Sequence, residues 1–251
     1  MARLFDTWLA AAVARVSPPL TFPEIRKAVQ AVSALYVERR ASGGLGARTS
    51  ESEGKRAALA TYYAPLHFLT ALRAAGEMPE QARAAVRRVH DFGCGTGVVG
   101  AAFALACPGA VEIEGIDRSG WALREARFTY AAFGLRGRTR RASVPESLPR
   151  LRPGDAVVMG WTANELEQPA RVRLLDFVAE AASAGHPLLC LEPLARAVAP
   201  WWPTWAAALR PHGVRDLELK FEAELPEWIA RLDASSGLDH STLGARVLVA
   251  P

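Results

Sequence analysis

From Val86 onward the chain alternates between two rhythms. Short apolar runs of strand length (RRVHDF, VEIEGID, TRRASV, DAVVMGW, PLLCLEP) are separated by longer segments with apolar residues three and four apart (GVVGAAFALAC, WALREARFTYAAFG, ARVRLLDFVAEAAS). The first kind predicts strands and the second predicts helices. Their regular alternation predicts a parallel sheet with helices on both faces. Pro108 and Gly109 end the first of these helices, and Gly134 the second. Beyond Pro193, APWWPTWAAALRPHG reads as another helix, and VRDLELKFE and ARVLVA as the last strands of a seven-stranded sheet.

The first 80 residues carry helical periods interrupted by prolines and one polar stretch. One helix is expected around Phe5–Val16 and a second from about Pro23 to Arg40, where Ile25, Val29, Val32 and Leu35 fall on one face. Pro18, Pro19 and Pro23 separate them, and a proline is tolerated in a first helical turn because its missing N–H has no partner there. Residues 41–54 (ASGGLGARTSESEG) are too small and polar to bury much surface and read as a loop. Lys55–Ala75 reads as a long helix carrying Leu59, Tyr62, Tyr63, Leu66, Leu69 and Leu72, with Pro65 expected to kink or split it. The expected organisation is an N-terminal helical extension or lid over residues 1–80 and one doubly wound α/β domain over 81–251.

Composition changes this picture little. Half of the 251 residues are apolar, enough for a core without metal or disulfide support. Cys94, Cys107 and Cys190 form no CxxC pair and sit in apolar runs, as buried thiols of a reducing compartment do. No stretch reaches the ~18 apolar residues of a membrane span, and no secretory leader pattern is evident, so a cytoplasmic protein is expected. The formal net charge of +4 is mostly arginine, densest in RGRTRR. Arginine forks suit phosphate, which makes Arg136, Arg138, Arg140 and Arg141 candidate RNA contacts, although the overall excess is modest.

The strongest chemical signal is Asp91-Phe92-Gly93-Cys94-Gly95-Thr96-Gly97, which follows a strand and opens a helix. At such a turn glycines permit left-handed backbone, close approach of a ligand, and tight packing of helix on strand. The helix N-terminus adds unpaired N–H groups. Two ligand classes compete. Gly95 with Gly97 and Gly100 completes the G-x-G-x-x-G of a dinucleotide site. Asp91, two residues before the first glycine, instead suits a ligand bearing an amino group and would repel a pyrophosphate. Asp117 ends the next strand, twenty residues after Gly97; a carboxylate there accepts ribose hydroxyls and supports any nucleoside ligand, unless it serves only to cap the following helix.

DFGCGTG resembles motif I of the class I S-adenosylmethionine-dependent methyltransferases. The resemblance implies a Rossmann-like methyltransferase sheet and S-adenosyl-L-methionine as cofactor. Its methionine end is expected at Asp91, Gly93, Cys94, Gly95 and Gly97 and its ribose at Asp117, with Arg118 a further cofactor contact and Ser143, Trp161 and Asn164 flanking adenine or methionine. The fourth strand's end, GWTANEL, lacks the Asn/Asp-Pro-Pro-aromatic tetrapeptide of amine-methylating nucleic-acid enzymes and the Pro-Cys of cytosine C5 enzymes. WTANELEQPAR, LLCLEP and the upstream ALATYYAPLHFLTALRAA resemble the small-ribosomal-subunit methyltransferase-like family of bacteria and mitochondria. That likeness implies action on rRNA or in small-subunit assembly. The Gly-Thr-Pro after Glu-Pro is absent (Leu194-Ala195-Arg196 stands there), and no cysteine follows Cys190 to form that family's metal-binding segment, so no metal is expected.

Two other functional classes stay open: a small-molecule methyltransferase, favoured by the aromatic Trp201, Trp202 and Trp205, and a catalytically silent S-adenosylmethionine-binding protein. Glu165 is the candidate base, with a first-turn helix acid as the equally good structural reading. Tyr62 and Tyr63 read as cofactor cover or as packing. His90, His186, His212 and His240 are scattered and suggest neither metal nor triad.

Overall fold

A computed structural model describes residues 1–16, 19–42, 50–110 and 112–251. Pro18, Val111 and residues 43–49 of the expected loop lie outside these. The elements in chain order are α1 (Ala2–Val16), α2 (Phe22–Ser42), α3 (Glu53–Ala58), a π-helical turn (Leu59–Tyr63), α4 (Ala64–Ala75), α5 (Glu80–Ala85), β1 (Arg88–Phe92), α6 (Val98–Ala106), β2 (Glu112–Asp117), α7 (Gly120–Ala132), β3 (Gly137–Arg141), β4 (Asp155–Gly160), α8 (Gln168–Ser183), β5 (Leu188–Glu192), α9 (Trp202–Leu209), β6 (Arg215–Glu222), α10 (Glu227–Ser236) and β7 (Thr242–Ala250). They form two compact units, Met1–His67 with Lys220–Leu243, and Phe68–Leu219 with Gly244–Pro251.

The first unit is mainly helical. In α1, Phe5, Trp8, Leu9 and Ala12 are buried, the i, i+3, i+4, i+7 stripe of an amphipathic helix. In α2 the four expected residues, Ile25, Val29, Val32 and Leu35, are all buried. Thr21 and Glu24 cap its start: Glu24 Oε2 accepts from both the backbone N–H and the hydroxyl of Thr21, each at 2.7 Å. Pro65 does not break the following rod. The π-helical turn lies just upstream, with Ala64 N–H bonded to Leu59 O, and this extra residue shifts the hydrogen-bond register where the proline enters. Tyr62 and Tyr63 are buried within this unit, edge-on to each other at 5.0 Å. Tyr62 donates its hydroxyl to Asp233. Asp233 also accepts from His240 N–H (2.7 Å) and contacts His240 Nδ1 (2.7 Å). These two tyrosines are therefore packing residues, and His240 joins a polar cluster that its isolation in the sequence did not suggest. The helix α10, not anticipated from the sequence, buries Ile229 and Leu232 and ends at Gly237 in left-handed backbone.

The second unit holds β1 to β5 and most of β7, and the strand order of the sheet is β3-β2-β1-β4-β5-β7-β6. The strands β1 to β5 pair in parallel and β7 pairs antiparallel to β5. This is the doubly wound seven-stranded sheet expected from the alternation. From β1 the chain steps outward to β2 and β3, then returns to β4 and β5 on the other side. The switch point therefore lies between β1 and β4, and ligands of such sheets bind beyond the carboxyl ends of the strands there. On one face Phe92, Ile116, Val157, Met159, Leu188, Cys190 and Leu248 form a core with Leu174 and Val178 of α8 and Trp202, Trp205 and Leu209 of α9. On the other face α6 and α7 lie close against glycines. A Cβ on Gly160 would fall 2.7 Å from Val99, and one on Gly115 2.5 Å from the Tyr130 hydroxyl.

The connection from β3 to β4 contains no helix. Pro145, Pro149 and Pro153 recur every fourth residue through it, and each removes a helical hydrogen bond. The sheet face that a helix would otherwise cover carries charge. Arg88 donates two bonds to Glu112 (2.8 and 2.7 Å), and His90 lies between Asp155 (3.1 Å) and Glu114 (3.4 Å). The third strand ends at Arg141, earlier than the pattern TRRASV predicts, which leaves Ser143 two residues beyond it, exposed.

Candidate functional site

The glycine turn joins β1 to α6. Gly93, Gly95 and Gly97 all have positive φ (62°, 51° and 78°), a region that costs a side-chain-bearing residue about 1–2 kcal/mol. Their surroundings differ. A Cβ on Gly93 would lie 2.4 Å from Thr162 Cγ2, and one on Gly97 2.8 Å from Ala126 and Tyr130. A Cβ on Gly95 would meet nothing nearer than Gly93 O at 4.0 Å. Gly93 and Gly97 are thus fixed by packing, whereas Gly95 faces open space at the carboxyl end of β1.

Two carboxylates brace the turn. Asp117 Oδ2 accepts from Gly95 N–H (3.0 Å), and its Oδ1 accepts from Ser119 N–H (2.7 Å). Ser119, not Asp117, caps α7, accepting from Ala122 N–H at 3.3 Å. Asp91 is buried beneath the turn. Its Oδ2 accepts from Gly100 N–H (3.1 Å) and Tyr130 OH (3.4 Å), while Oδ1 has no hydrogen-bond partner. Gly97 has no side chain to cap α6, so Asp91 serves one of that helix's first N–H groups from the preceding strand. Burial, with a smaller contribution from the nearby Asp117, pushes the Asp91 carboxyl up to about 7. Cys94 is buried against Gly115, and its N–H bonds Ile116 O at 3.0 Å, tying the turn to β2. Arg118 is exposed, and its carbonyl accepts from Arg141 Nε at 3.1 Å.

Beyond β4 the chain turns sharply. Trp161 has φ +56°, the one side-chain-bearing residue in left-handed backbone among those described. Its N–H bonds Leu191 O at 2.7 Å. Asn164 N–H bonds Glu192 Oε1 (3.1 Å), and Asn164 Oδ1 accepts from the Trp201 indole (3.2 Å), leaving Nδ2 buried without a partner. Glu165 ends a short 3-10 turn, with its N–H on Thr162 O at 2.9 Å. Trp202 and Trp205 belong to the core, with Trp201 packed against them. The structure thus gathers the glycine turn, Asp117, Trp161 and Asn164 around the carboxyl ends of β1, β2 and β4. Sequence reasoning missed Thr162, Tyr130 and Glu192. Only Glu192 had a local signal, an acid inside an apolar run.

The RGRTRR arginines are largely matched by acids. Arg136 lies 3.9 Å from Glu112, and Arg138 and Arg140 lie 3.4 and 3.7 Å from Glu114. Arg88, Arg136 and Arg138 border a cleft of about 380 Å³ together with Glu112 and Glu114. The Glu112 carboxyl is held below its ordinary range, chiefly by its bonds with Arg88.

Residues 89–185 match the family described as "Methyltransferase domain". A 51-residue stretch is 49% identical to the Ribosomal RNA small subunit methyltransferase C of Vibrio vulnificus (strain CMCP6), covering 20% of this chain and 15% of that protein. The chain thus aligns with only a small part of that relative. Among solved structures, the S-adenosylmethionine-dependent methyltransferase SibL superposes over 97% of this chain and 74% of its own, with a TM-score of 0.52 and 18% identity. The mitomycin 7-O-methyltransferase MmcR covers 87% and 67%, with a TM-score of 0.50 and 16% identity. The family match marks a methyltransferase domain over residues 89–185, the fold is one shared with SibL and MmcR, and S-adenosyl-L-methionine is the cofactor that this match supports. No helix among the described residues is long and apolar enough to cross a membrane, and no group of three or more metal-ligating side chains occurs among them.

Proposed function

We propose that the chain transfers a methyl group from S-adenosylmethionine, with rRNA or the assembling small ribosomal subunit as acceptor. The observation that carries the first half is the open, left-handed Gly95 bonded through its N–H to Asp117 at the switch point. The residues present fit the cofactor. The turn has room where Gly95 lacks a side chain, and Asp91 Oδ1 is an unpartnered acceptor beneath it for an amino group. Each Asp117 oxygen takes one backbone N–H and keeps a lone pair for a ribose hydroxyl. Arg118, Ser143, Trp161 and Asn164 are the further residues proposed to contact the cofactor, the last three beside its adenine or methionine. When bound, the cofactor supplies an electrophilic methyl on a sulfonium for in-line displacement. The protein's contribution is alignment, which supplies up to about 7–11 kcal/mol in well-oriented reactions. Glu165 is the candidate base; full turnover by Glu165→Gln removes it.

The acceptor half is supported by the stretch shared with the Vibrio enzyme and by the arginine-rich β3 edge. A second reading, a small-molecule acceptor, is favoured by the acids that offset Arg136, Arg138 and Arg140. Calorimetry with S-adenosylhomocysteine and with NAD tests the cofactor: binding of NAD alone refutes it. Purification from the native host at low and high salt tests the acceptor. Association with 16S rRNA that weakens with salt is expected, since each single-strand phosphate neutralised contributes about 0.7 to the log–log salt slope. No association at low salt transfers the assignment to a small molecule.

A further inference from the structure

The Thr162 hydroxyl sits where the two central strands end. It lies 2.9 Å from Phe92 O, the last carbonyl of β1, 3.2 Å from Gly160 O, the last of β4, and 3.3 Å from Gly93 O, the first of the glycine turn. One proton is thus shared among three carbonyls at the switch point. The residue is buried, at 6% exposure. Its placement depends on two backbone features: the left-handed Trp161, which folds the chain back from β4 toward β1, and the missing side chain at Gly93, whose Cβ would collide with it. On the far side, Trp161 N–H and Asn164 N–H hold the same loop to Leu191 and Glu192 of β5.

We propose that Thr162 is a positioning residue: its hydroxyl, bridging the carboxyl ends of β1 and β4, sets the Gly93 carbonyl and with it the conformation of Gly93–Gly97 that receives the cofactor. The inference rests on the cofactor placement above. Strain at a single side-chain-bearing residue beside a ligand turn is where such positioning is expected. The loop beyond β4 and the glycine turn then behave as one piece.

Thr162→Val keeps the shape and removes the hydroxyl, whereas Thr162→Ser keeps the hydroxyl and removes a methyl. Two measurements are made on the full chain: S-adenosylhomocysteine affinity by calorimetry, and amide hydrogen exchange of residues 93–97 without ligand. Expected is a loss of affinity of about fivefold to fiftyfold for Thr162→Val, the effect of stranding buried carbonyls. Exchange at 93–97 accelerates while that of β5 does not, and Thr162→Ser restores both. Wild-type values for Thr162→Val, or equal losses in the two variants, overturn the proposal. If the wild-type chain binds no S-adenosylhomocysteine, the cofactor reading fails. The exchange comparison then still decides the proposal, since unchanged protection of residues 93–97 in Thr162→Val overturns it.

Discussion

The contact between Gly93 and Thr162 gives a quantitative test of how the turn is held. In Gly93→Ala the new methyl sits at φ +62°, 2.4 Å from Thr162 Cγ2 and 2.5 Å from its hydroxyl. Left-handed backbone costs alanine about 1–2 kcal/mol. Unrelieved contacts an ångström inside the normal 3.5–4.0 Å approach add roughly the 1–3 kcal/mol of core overpacking. The sum, about 2–5 kcal/mol, is a large share of a domain's stability. Gly95→Ala has φ +51° and open space, so only the backbone cost applies, about 1–2 kcal/mol. Urea unfolding gives each difference. The decisive measurement is the double-mutant cycle with Thr162→Ala, which removes the two closest atoms and leaves the nearest at 3.0 Å. Gly93→Ala should cost about 1–3 kcal/mol less in that background, whereas Gly95→Ala should cost the same in both. Additivity of Gly93→Ala and Thr162→Ala within about 0.5 kcal/mol would refute the packing argument.

Three further outcomes follow from the site. The Asp91 carboxyl titrates near 7 when folded and in the ordinary range near 4 when unfolded. Between these values the folded state holds a proton that the unfolded chain releases, so this group's contribution to stability falls as pH rises. Asp91→Asn carries no such proton and should gain on the wild type between pH 5 and pH 8; a constant gap in urea midpoint removes Asp91 as the cause. Asp117→Ala should weaken S-adenosylhomocysteine binding by about 1.5–3 kcal/mol in calorimetry, the range of hydrogen bonds to a charged group; unchanged affinity places the ribose elsewhere. Finally, Glu112→Gln with Glu114→Gln uncovers Arg136, Arg138 and Arg140 and should tighten and steepen the salt dependence of 16S rRNA binding if the β3 edge contacts phosphate. An unchanged salt slope takes that edge out of RNA contact.

The sheet and its glycine turn were legible because their information is local. Period-two and period-3.6 runs with glycine or proline between them encode each β–α step in contiguous residues. The turn's three left-handed positions are written as three glycines within five residues. What escaped depends on distant partners. Thr162 is defined by carbonyls 69 and 70 residues away and has no periodic signature. His240 looks isolated because Tyr62 is 178 residues distant, and Asp233 is brought to it only by the Gly237 turn at the end of α10. That helix did carry signals, Pro226 and Glu227 at its start and Gly237 at its end, but its ten residues follow a strand pattern closely enough to be absorbed into the loop between strands.

The arginine cluster shows how far charge read along a chain differs from charge in space. RGRTRR counts as four cations, yet parallel pairing sets Glu114 opposite Arg138, one strand over, and period two brings Glu112 to the same face. The sequence contained a trace of this. A parallel strand buried on both faces reads as continuously apolar, but RVHDF and EIEGID interrupt that pattern with Arg88, His90, Glu112 and Glu114 at alternate positions. Alternating charge in an inner parallel strand implies that one face lacks its helix. The three prolines between β3 and β4 say which helix is missing. The two observations, each readable without coordinates, together place the ion pairs of Arg88, Glu112, Glu114 and Arg138 on the sheet itself. Any RNA bound at the β3 edge would have to compete with acids already in place, and this is why removing Glu112 and Glu114 tests the proposed contact more directly than removing the arginines.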